Sequence, residues 1–394
     1  MATHAPSVVL VSGARTPIGS YGRSLADVPA HELGAAVVRR ALEACPDTVI
    51  DEVIMGCVGQ VGGDAYNARR VALAAGLPIS TPAFNVNRLC GSGLQAVLSA
   101  AMQVQSGDST VIVAGGDESM SRQPALLSTA RDGLRLGHRS LVDGTLSLMT
   151  DPWSDELMGV TAENVARRFG VSRTEQDEWA ALSQSRTAQA QASGVFVEQI
   201  VPITVAYDKG ATTVVETDEH PRPQTTVEAL AALRPAFAAN GTVTPGNSSG
   251  INDGAAAVVV MLEETAARLG RPARMRLRAW SSAALEPGLM GYAPTIAVGR
   301  ALDRAGLSMS ELDVIELNEA FAAQVVAVVR DTGMDPDKVN PNGGAIALGH
   351  PVGATGAILT VKLMHDLADR DLQFGMVTMC IGGGQALAAI FERC

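Results

Sequence analysis

The order of apolar and polar positions along the chain predicts alternating strands and helices. Short runs rich in β-branched residues, bounded by glycine or polar residues, lie at 8–11, 53–55 and 111–114. Alanine-rich stretches near 30–45 and 91–106 separate them and have the spacing of helices. This alternation predicts an α/β fold in which helices pack on a layered sheet.

The second half of the chain repeats the plan of the first. Residues 41–54 and 301–315 both pass from Ala-Leu through a polar linker to a strand. Residues 86–116 and 339–384 both run from Val-Asn through a glycine-rich turn and a helix to a strand with glycines at its end. Both matches are offset by about 250–260 residues, which indicates two related halves.

A long segment between the halves, from about residue 121 to 247, loses the strand pattern and gains arginine, proline and helical stretches. Long insertions in compact domains are commonly functional, so this one is either a lid or oligomer contact or a ligand-binding cap. Within it, residues 161–164 are predicted to cap and begin an amphipathic helix that continues to 169.

Composition narrows the class of protein. The 394 residues are 47% hydrophobic and 4% aromatic, which predicts a globular protein of two or three domains. The net charge of −11 disfavours nucleic acid or an anionic membrane as a partner. The longest apolar run, 255–262, is far below the roughly 18 residues that cross a bilayer, and the first residues do not form a signal peptide. We therefore expect a soluble, cytoplasmic protein.

The cysteines point to a reducing compartment. They are five in number, scattered and without a C-x-x-C pair, which disfavours both a disulfide framework and a zinc site. We expect no metal and assign no role to Cys45, Cys57 and Cys394.

Two of the reactive residues lie on glycine-rich turns that precede helices. Cys90 lies in the turn 87–94, where helix N-terminal N–H groups favour an anion, so we predict a lowered thiol pKa. His350 lies in the glycine-rich segment 342–356, which leaves its imidazole accessible. A thiol and an imidazole together generate a thiolate near neutral pH.

Two further candidates follow strands of the second half. Cys380 ends a strand and precedes three glycines at 382–384, whose N–H groups could bind an oxyanion while the thiol moves a proton. Asn318 follows the strand 314–317, where it either caps the next helix or points its amide at a reaction centre. All four candidates lie at the carboxyl ends of strands, where sites collect in α/β folds.

Five segments, in one order along almost the whole chain, resemble the thiolase family. They are VNRLCGSG at 86–93, MGVTAENVA at 158–166, NEAF at 318–321, GHP at 349–351 and CIGGG at 380–384. The resemblance implies a thiolase-like duplicated five-stranded α/β layered fold with an inserted loop domain, assembled as a homotetramer that is a dimer of dimers.

The resemblance also implies a division of the chain. Residues 1–120 form the first part of the N-terminal thiolase half, and 121–249 form the inserted loop domain with coenzyme A (CoA) binding and oligomer contacts. Residues 250–272 return to the N-terminal half, and 273–394 form the C-terminal half.

The activity that the resemblance implies is that of a beta-ketothiolase. Such an enzyme condenses acyl-CoA with acetyl-CoA, or cleaves 3-oxoacyl-CoA with CoA, through an acyl-cysteine. Cys90 would be the nucleophile, activated by His350, and Cys380 would exchange a proton with C2 of acetyl-CoA. Asn318 would hold a water that, with His350, stabilises an enolate oxygen, and the N–H groups of Cys90 and Gly382 would form a second oxyanion hole. CoA is substrate or product here, and no cofactor is implied.

Substrate contacts follow from the same resemblance. Arg222 would lie near the adenine end of CoA and Ser249 beside the pantetheine. The acyl cavity would be lined by Leu157, Met158, Met290 and Phe321. Leu157 stands where many short-chain relatives have histidine, so we hypothesise a more apolar pocket than an acetoacetyl-only enzyme would have.

Three alternatives are weighed against this interpretation. A thiolase-like protein could bind CoA or lipid without catalysis. A serine hydrolase could use Ser248 of the G-x-S-x-G segment 246–250, although a strand-like run follows where a helix is needed. A decarboxylating ketoacyl synthase would pair its cysteine with two histidines, whereas Asn318 and Cys380 occupy the partner positions here.

Overall fold

The computed structural model describes residues 6–127, 130–133, 136–206 and 211–394. Its strands are β1 (Val8–Arg15), β2 (Gly19–Ser20), β3 (Glu52–Gly56), β4 (Ala83–Val86), β5 (Val111–Ser119), β6 (Ala125–Leu126), β7 (Val142–Asp143), β8 (Thr150–Asp151), β9 (Glu156–Leu157), β10 (Ile203–Ala206), β11 (Thr212–Val215), β12 (Asn252–Leu262), β13 (Met275–Ala284), β14 (Val314–Leu317), β15 (Phe374–Ile381) and β16 (Gln385–Arg393). Its α-helices are α1 (Ala30–Leu42), α2 (Asn67–Ala74), α3 (Ser92–Ser106), α4 (Gly144–Leu148), α5 (Met158–Phe169), α6 (Arg173–Ala192), α7 (Val227–Ala231), α8 (Glu263–Arg268), α9 (Pro294–Ala305), α10 (Ala322–Thr332), α11 (Ala345–Leu348) and α12 (Thr355–Asp369).

The strands form two matching sets that join edge to edge. The order along the ladder is β14-β15-β16-β13-β1-β12-β5-β3-β4, so β1, β12, β5, β3 and β4 belong to the first half and the other four to the second. A parallel bridge between Ile315 and Val339 extends the second set by one more position. The predicted duplication of an α/β unit is confirmed. Among the described residues, the two sets of strands join where β1 pairs with β13, at Val9 with Arg276 and Leu10 with Met275.

Alternating side chains along each strand face two different helical layers. In β1, Val8 and Leu10 belong to the buried cluster around α3 and α12, whereas Val9 and Val11 belong to the cluster around α1 and α2. The strand β16 alternates in the same way between α3 and α12 on one face and α9 and α10 on the other. This period of two is what a strand buried on both faces requires. The layers are therefore helix, sheet, central helix pair, sheet and helix.

The central helices α3 and α12 approach each other with backbone contact at their first turns. A Cβ on Gly93 would lie 2.8 Å from the amide nitrogen of Ala357, and one on Gly356 would lie 2.4 Å from that of Leu94. Only glycine fits at such a separation. Because Cys90 precedes α3 and His350 precedes α12, this contact brings their two turns to one place.

The segment between β5 and β12 contains helices α4 to α7 and three short hairpins, β6 with β7, β8 with β9 and β10 with β11. A fully buried ion pair between Arg15 and Asp218, with nitrogen–oxygen distances of 2.7 and 2.9 Å, holds it to the first half. The carboxylate of Glu319 holds it to the second half by accepting bonds from Trp179 and Ser183 of α6. Within the described part of the chain, every helix is too short or too polar to traverse a bilayer.

The predicted cap at residues 161–164 is wrong, because α5 begins earlier, at Met158, with Leu157 before it. Thr161 lies inside the helix and its hydroxyl donates to the carbonyl of Met158 at 2.6 Å. Glu163 accepts bonds from the backbone N–H groups of residues 242 and 243. Both side chains that resembled a cap therefore serve other contacts.

Candidate active site

Cys90 lies on a tight turn between β4 and α3. The residue before it, Leu89, has a φ of 50°, a left-handed conformation that is uncommon for a residue with a side chain. Ser92 holds this turn, because its hydroxyl accepts from the N–H of Arg88 at 2.8 Å and donates to the carbonyl of Leu89 at 2.6 Å. A Cβ on Gly91 would lie 2.4 Å from the side chain of Ile381. The turn thus places Cys90 against the end of β15.

The end of β15 supplies the second thiol and a backbone donor. The N–H of Gly382 faces the sulfur of Cys90, as does the N–H of Cys90 itself. Cys380 is 1% exposed and lies near enough that a charge on Cys90 raises the pKa of its thiol. The structure therefore brings together the two cysteines that the sequence analysis selected, one from each half. All five cysteines are free.

The predicted lowering of the Cys90 pKa is wrong. Burial raises the pKa of this thiol to about 11, although the N–H groups of Cys90 and Gly382 act in the opposite direction. Burial also raises the pKa of Cys380, which the neighbouring Cys90 raises further. Both sulfurs are thus neutral thiols at pH 7, and ionisation of Cys90 requires a base beside it.

His350 has the environment of a neutral base. Burial lowers the pKa of its imidazole to about 4, and only 6% of the residue is exposed. The hydroxyl of Thr355 lies 2.6 Å from Nδ1 and donates its own proton to the carbonyl of Pro351 at 2.9 Å. Because that hydroxyl has one proton, it accepts from Nδ1–H of His350. This leaves a lone pair on Nε2. The N–H of His350 is held by Oδ1 of Asn252 at 2.9 Å.

Asn318 faces His350 and does not cap a helix. Its Nδ2 lies 3.5 Å from Nε2 of His350, whereas α10 begins at Ala322 with Phe321 at the cap position. The buried Oδ1 of Asn318 has no hydrogen-bond partner among the described residues. Of the two alternatives at this position, the helix cap is therefore wrong, and the amide lies beside the imidazole of His350. The free oxygen is suited to accept a bond from a bound molecule.

An apolar wall adjoins the thiol of Cys380. A buried cluster groups Cys380 with Met290 and Phe321, and Met158 packs against it. The methyl of Met158 also lies 3.8 Å from the position of a Cβ on Gly382. Three of the four residues predicted to line the acyl cavity are therefore assembled beside the thiols. The fourth, Leu157, is 37% exposed at the start of α5.

The two residues predicted to contact CoA lie in different surroundings. The N–H of Ser249 donates to the carbonyl of Ala320 at 3.0 Å, which places it next to the apolar wall. Arg222 is exposed and lines a surface cavity of about 590 Å³ together with Arg23 and His220.

Sequence reasoning missed several residues that shape the site. Trp153, at the tip of the β8–β9 hairpin, lies over the glycine turn, because a Cβ on Gly383 would be 3.0 Å from its indole. Thr355 and Asn252, which fix the imidazole and backbone of His350, were also missed. Thr355 lies five residues after His350 and could have been found from that proximity, whereas Asn252 is 98 residues away with no local signal.

Ser248 does not lie on a nucleophile elbow. Its buried hydroxyl donates to the carbonyl of Thr244 at 2.8 Å, and the chain continues into the strand β12 instead of a helix. This geometry is the opposite of the strand-to-helix turn that a hydrolase needs.

Comparison with known proteins identifies the family of this chain. The family model for the thiolase N-terminal domain matches residues 8–264, and that for the thiolase C-terminal domain matches 271–393. An acetyl-CoA acetyltransferase of Pseudomonas aeruginosa is 49% identical over 389 residues, covering 98% of this chain and 99% of the relative. The beta-ketothiolase BktB of Cupriavidus necator is 51% identical over 390 residues with the same coverage.

Two solved structures also align with this chain over nearly its full length. The crystal structure of the Bacillus anthracis acetyl-CoA acetyltransferase aligns with a TM-score of 0.97 and 42% identity, covering 99% of each chain. Human mitochondrial 3-ketoacyl-CoA thiolase in complex with CoA aligns with a TM-score of 0.94 and 40% identity, covering 99% of this chain and 98% of that one. With both domain models matched in order over nearly its full length, the chain belongs to the thiolase family.

Proposed function

We propose that Cys90, His350, Cys380 and Asn318 carry out the reaction of a beta-ketothiolase. The activity is acyl transfer between acyl-CoA and C2 of acetyl-CoA, run as condensation or as cleavage of 3-oxoacyl-CoA by CoA. The observation that carries the assignment of residues is that Cys90, which faces two backbone N–H donors, adjoins Cys380, while the helices that follow Cys90 and His350 are in backbone contact at their first turns.

The first half-reaction forms an acyl-enzyme. Nε2 of His350 takes the proton of Cys90 as the sulfur attacks the thioester carbonyl of acyl-CoA. The negative charge that develops on the carbonyl oxygen is stabilised by the N–H groups of Cys90 and Gly382. In acyl-transfer enzymes the loss of one such donor costs about 3 kcal/mol. The proton on His350 then passes to the departing thiolate of CoA.

The second half-reaction makes or breaks the carbon–carbon bond. Nε2 of His350 takes the proton of the Cys380 thiol, and the resulting thiolate removes a proton from C2 of acetyl-CoA. The carbanion attacks the acyl group on Cys90 and expels the Cys90 thiolate, which recovers a proton from Nε2 of His350. The enolate oxygen is stabilised by the protonated Nε2 of His350 and by a water held by Asn318. Two thiols are needed because the nucleophile is occupied by the acyl group when the proton must move. CoA is consumed and released, and no metal or redox cofactor takes part.

The substrate lies between the inserted domain and the two halves. Here 121–249 is the inserted loop domain, 1–120 and 250–272 the N-terminal half, and 273–394 the C-terminal half. Ser249 contacts the pantetheine beside the apolar wall, and Arg222 contacts the adenine end, supplying the positive charge that an anionic ligand needs on an acidic chain. Met158, Met290 and Phe321 favour acyl chains longer than acetyl, with Leu157 at the rim. The protein acts in the cytoplasm as a homotetramer.

The test separates the two half-reactions. Wild type, Cys90→Ala and Cys380→Ala are assayed for cleavage of 3-oxoacyl-CoA over a chain-length series and for exchange of labelled CoA into acetyl-CoA. We expect Cys90→Ala to lose both activities and Cys380→Ala to keep the exchange while losing cleavage. Full cleavage by Cys90→Ala, or equal loss of exchange in both variants, overturns the assignment. Use of acetoacetyl-CoA alone contradicts the apolar pocket.

A further inference from the structure

Glu118 joins the two halves of the molecule at the edge of the site. It lies in β5 and is fully buried. Its carboxylate accepts three backbone hydrogen bonds, each 3.0 Å long, from Val58, Gly59 and Gly353. The first two donors belong to the loop after β3, in the same half as Cys90. The third follows His350 in the other half.

The contact around this carboxylate leaves no room for adjustment. A Cβ on Gly353 would lie 2.5 Å from Oε2 of Glu118, and a Cβ on Gly116 would lie 2.2 Å from the carbonyl oxygen of Gly353. The backbone of β5 and the loop that follows His350 therefore touch directly. Since His350 lies only three residues before Gly353, the bond to Glu118 fixes the loop that holds the imidazole.

Glu118 also acts on Cys90 through its charge. An ionised Glu118 raises the pKa of the Cys90 thiol. Burial raises the pKa of Glu118 to about 7, against the three N–H donors that favour its charged form. The other titratable groups that face Glu118 are Asp117, Asp253 and Cys57. None of them is a cation that would cancel its charge.

We propose that Glu118 is a positioning residue with two effects, orienting the His350 loop through Gly353 and disfavouring the free thiolate of Cys90. Ionisation of Cys90 then depends on proton transfer to a correctly placed His350. The nucleophile stays a thiol until substrate is bound, which protects it from oxidation and alkylation. This inference rests on the proposed roles of Cys90 and His350.

The experiment compares Glu118→Gln, which removes the charge, with Glu118→Asp, which keeps the charge but shortens the reach. The matched control is Asp313→Asn, because Asp313 also accepts two backbone N–H bonds, from Gln373 and Phe374, but at the start of β14. Alkylation of Cys90 by iodoacetamide at pH 7–9 is followed by mass spectrometry of its peptide. Steady-state acyl transfer gives kcat and KM, and circular dichroism monitors folding.

In Glu118→Gln we expect alkylation of Cys90 to become about 3- to 10-fold faster, because the charge that raises the pKa of the thiol is removed, while kcat falls at least tenfold with little change in KM. Glu118→Asp should lower kcat without faster alkylation, and Asp313→Asn should change neither by more than twofold. Slower alkylation and slower catalysis together in a folded Glu118→Gln, or an unchanged kcat, overturn the proposal. The Cys90→Ala assays stand independently, so a failure of the proposed function is recognised separately.

Discussion

Replacement of Thr355 by valine tests whether a single hydroxyl keeps His350 in the tautomer that can act as a base. Valine has nearly the same shape but cannot accept the bond from Nδ1–H, which the hydroxyl receives at 2.6 Å. A buried donor left without a partner costs about 1–3 kcal/mol. If the ring responds by moving its proton to Nε2, that cost appears as a barrier, and 1.4 kcal/mol corresponds to about tenfold in rate. We therefore expect kcat to fall by about 5- to 150-fold.

The control for this prediction lies five residues further along the same helix. Thr360 is buried, and its hydroxyl donates to the carbonyl of Gly356 at 2.8 Å, just as that of Thr355 donates to Pro351. Thr360→Val should lower the free energy of unfolding by about as much as Thr355→Val does, but should leave kcat within twofold of wild type. The assay is 3-oxoacyl-CoA cleavage at saturating substrate, with urea denaturation in parallel. Equal losses of kcat in both variants, or none in Thr355→Val, would refute the tautomer argument.

Three other measurements probe the charged and close-packed parts of the structure. Burial lowers the pKa of His350 from 6.5 to about 4, so as the pH falls the unfolded chain binds a proton at this imidazole before the folded chain does. The free energy of unfolding should therefore fall as the pH drops from about 6.5 to about 4, and it should fall less in His350→Asn. Urea titrations at several pH values measure both changes. Burial raises the pKa of Asp117 well above 3.8, and Oδ2 of this carboxyl has no partner among the described residues. Asp117→Asn should therefore raise the free energy of unfolding by about 1–3 kcal/mol at pH 8. This gain should shrink toward pH 4, and a gain that does not depend on pH would contradict the prediction. Gly93→Ala places a Cβ 2.8 Å from backbone and should lower both Tm and kcat. Gly299 is exposed in α9 with open space around it, so Gly299→Ala should raise the free energy of unfolding by about 0.5–1 kcal/mol. Calorimetry of the two variants checks the sign of each change.

The strands and helices of the repeated α/β unit could be predicted from the sequence because their patterns are local. The runs at 8–11, 53–55 and 111–114 all lie within observed strands, and the helices predicted near 30–45 and 91–106 are α1 and α3. A strand buried on both faces reads as a continuous apolar run, and a glycine-rich turn marks where it ends. These signals need no information from distant residues.

The predictions that were wrong or left open concern residues whose partners are distant in the sequence. The helix N-terminus at Cys90 is present, yet the pKa of the thiol rises, since the opposite half covers the sulfur and desolvation outweighs the N–H groups. The residues 161–164 have the composition of a cap, but Glu163 pairs with backbone 79 and 80 residues away. The local sequence at Asn318 fits both a helix cap and an amide in the site, and the proximity of His350 distinguishes them. In each case the outcome is set by a neighbour that the local sequence does not contain.

The sheet order has a consequence for how the chain must be made. The first strand, β1, pairs along its length with β12, and the final strand, β16, lies between β13 and β15. A nascent chain leaving the ribosome therefore carries β1 with no neighbour until the inserted segment has been synthesised, and the second sheet stays open until the last residues emerge. Through most of its synthesis the polypeptide exposes surfaces that later become its interior, and exposed apolar surfaces and unpaired strand edges of this kind are prone to aggregation.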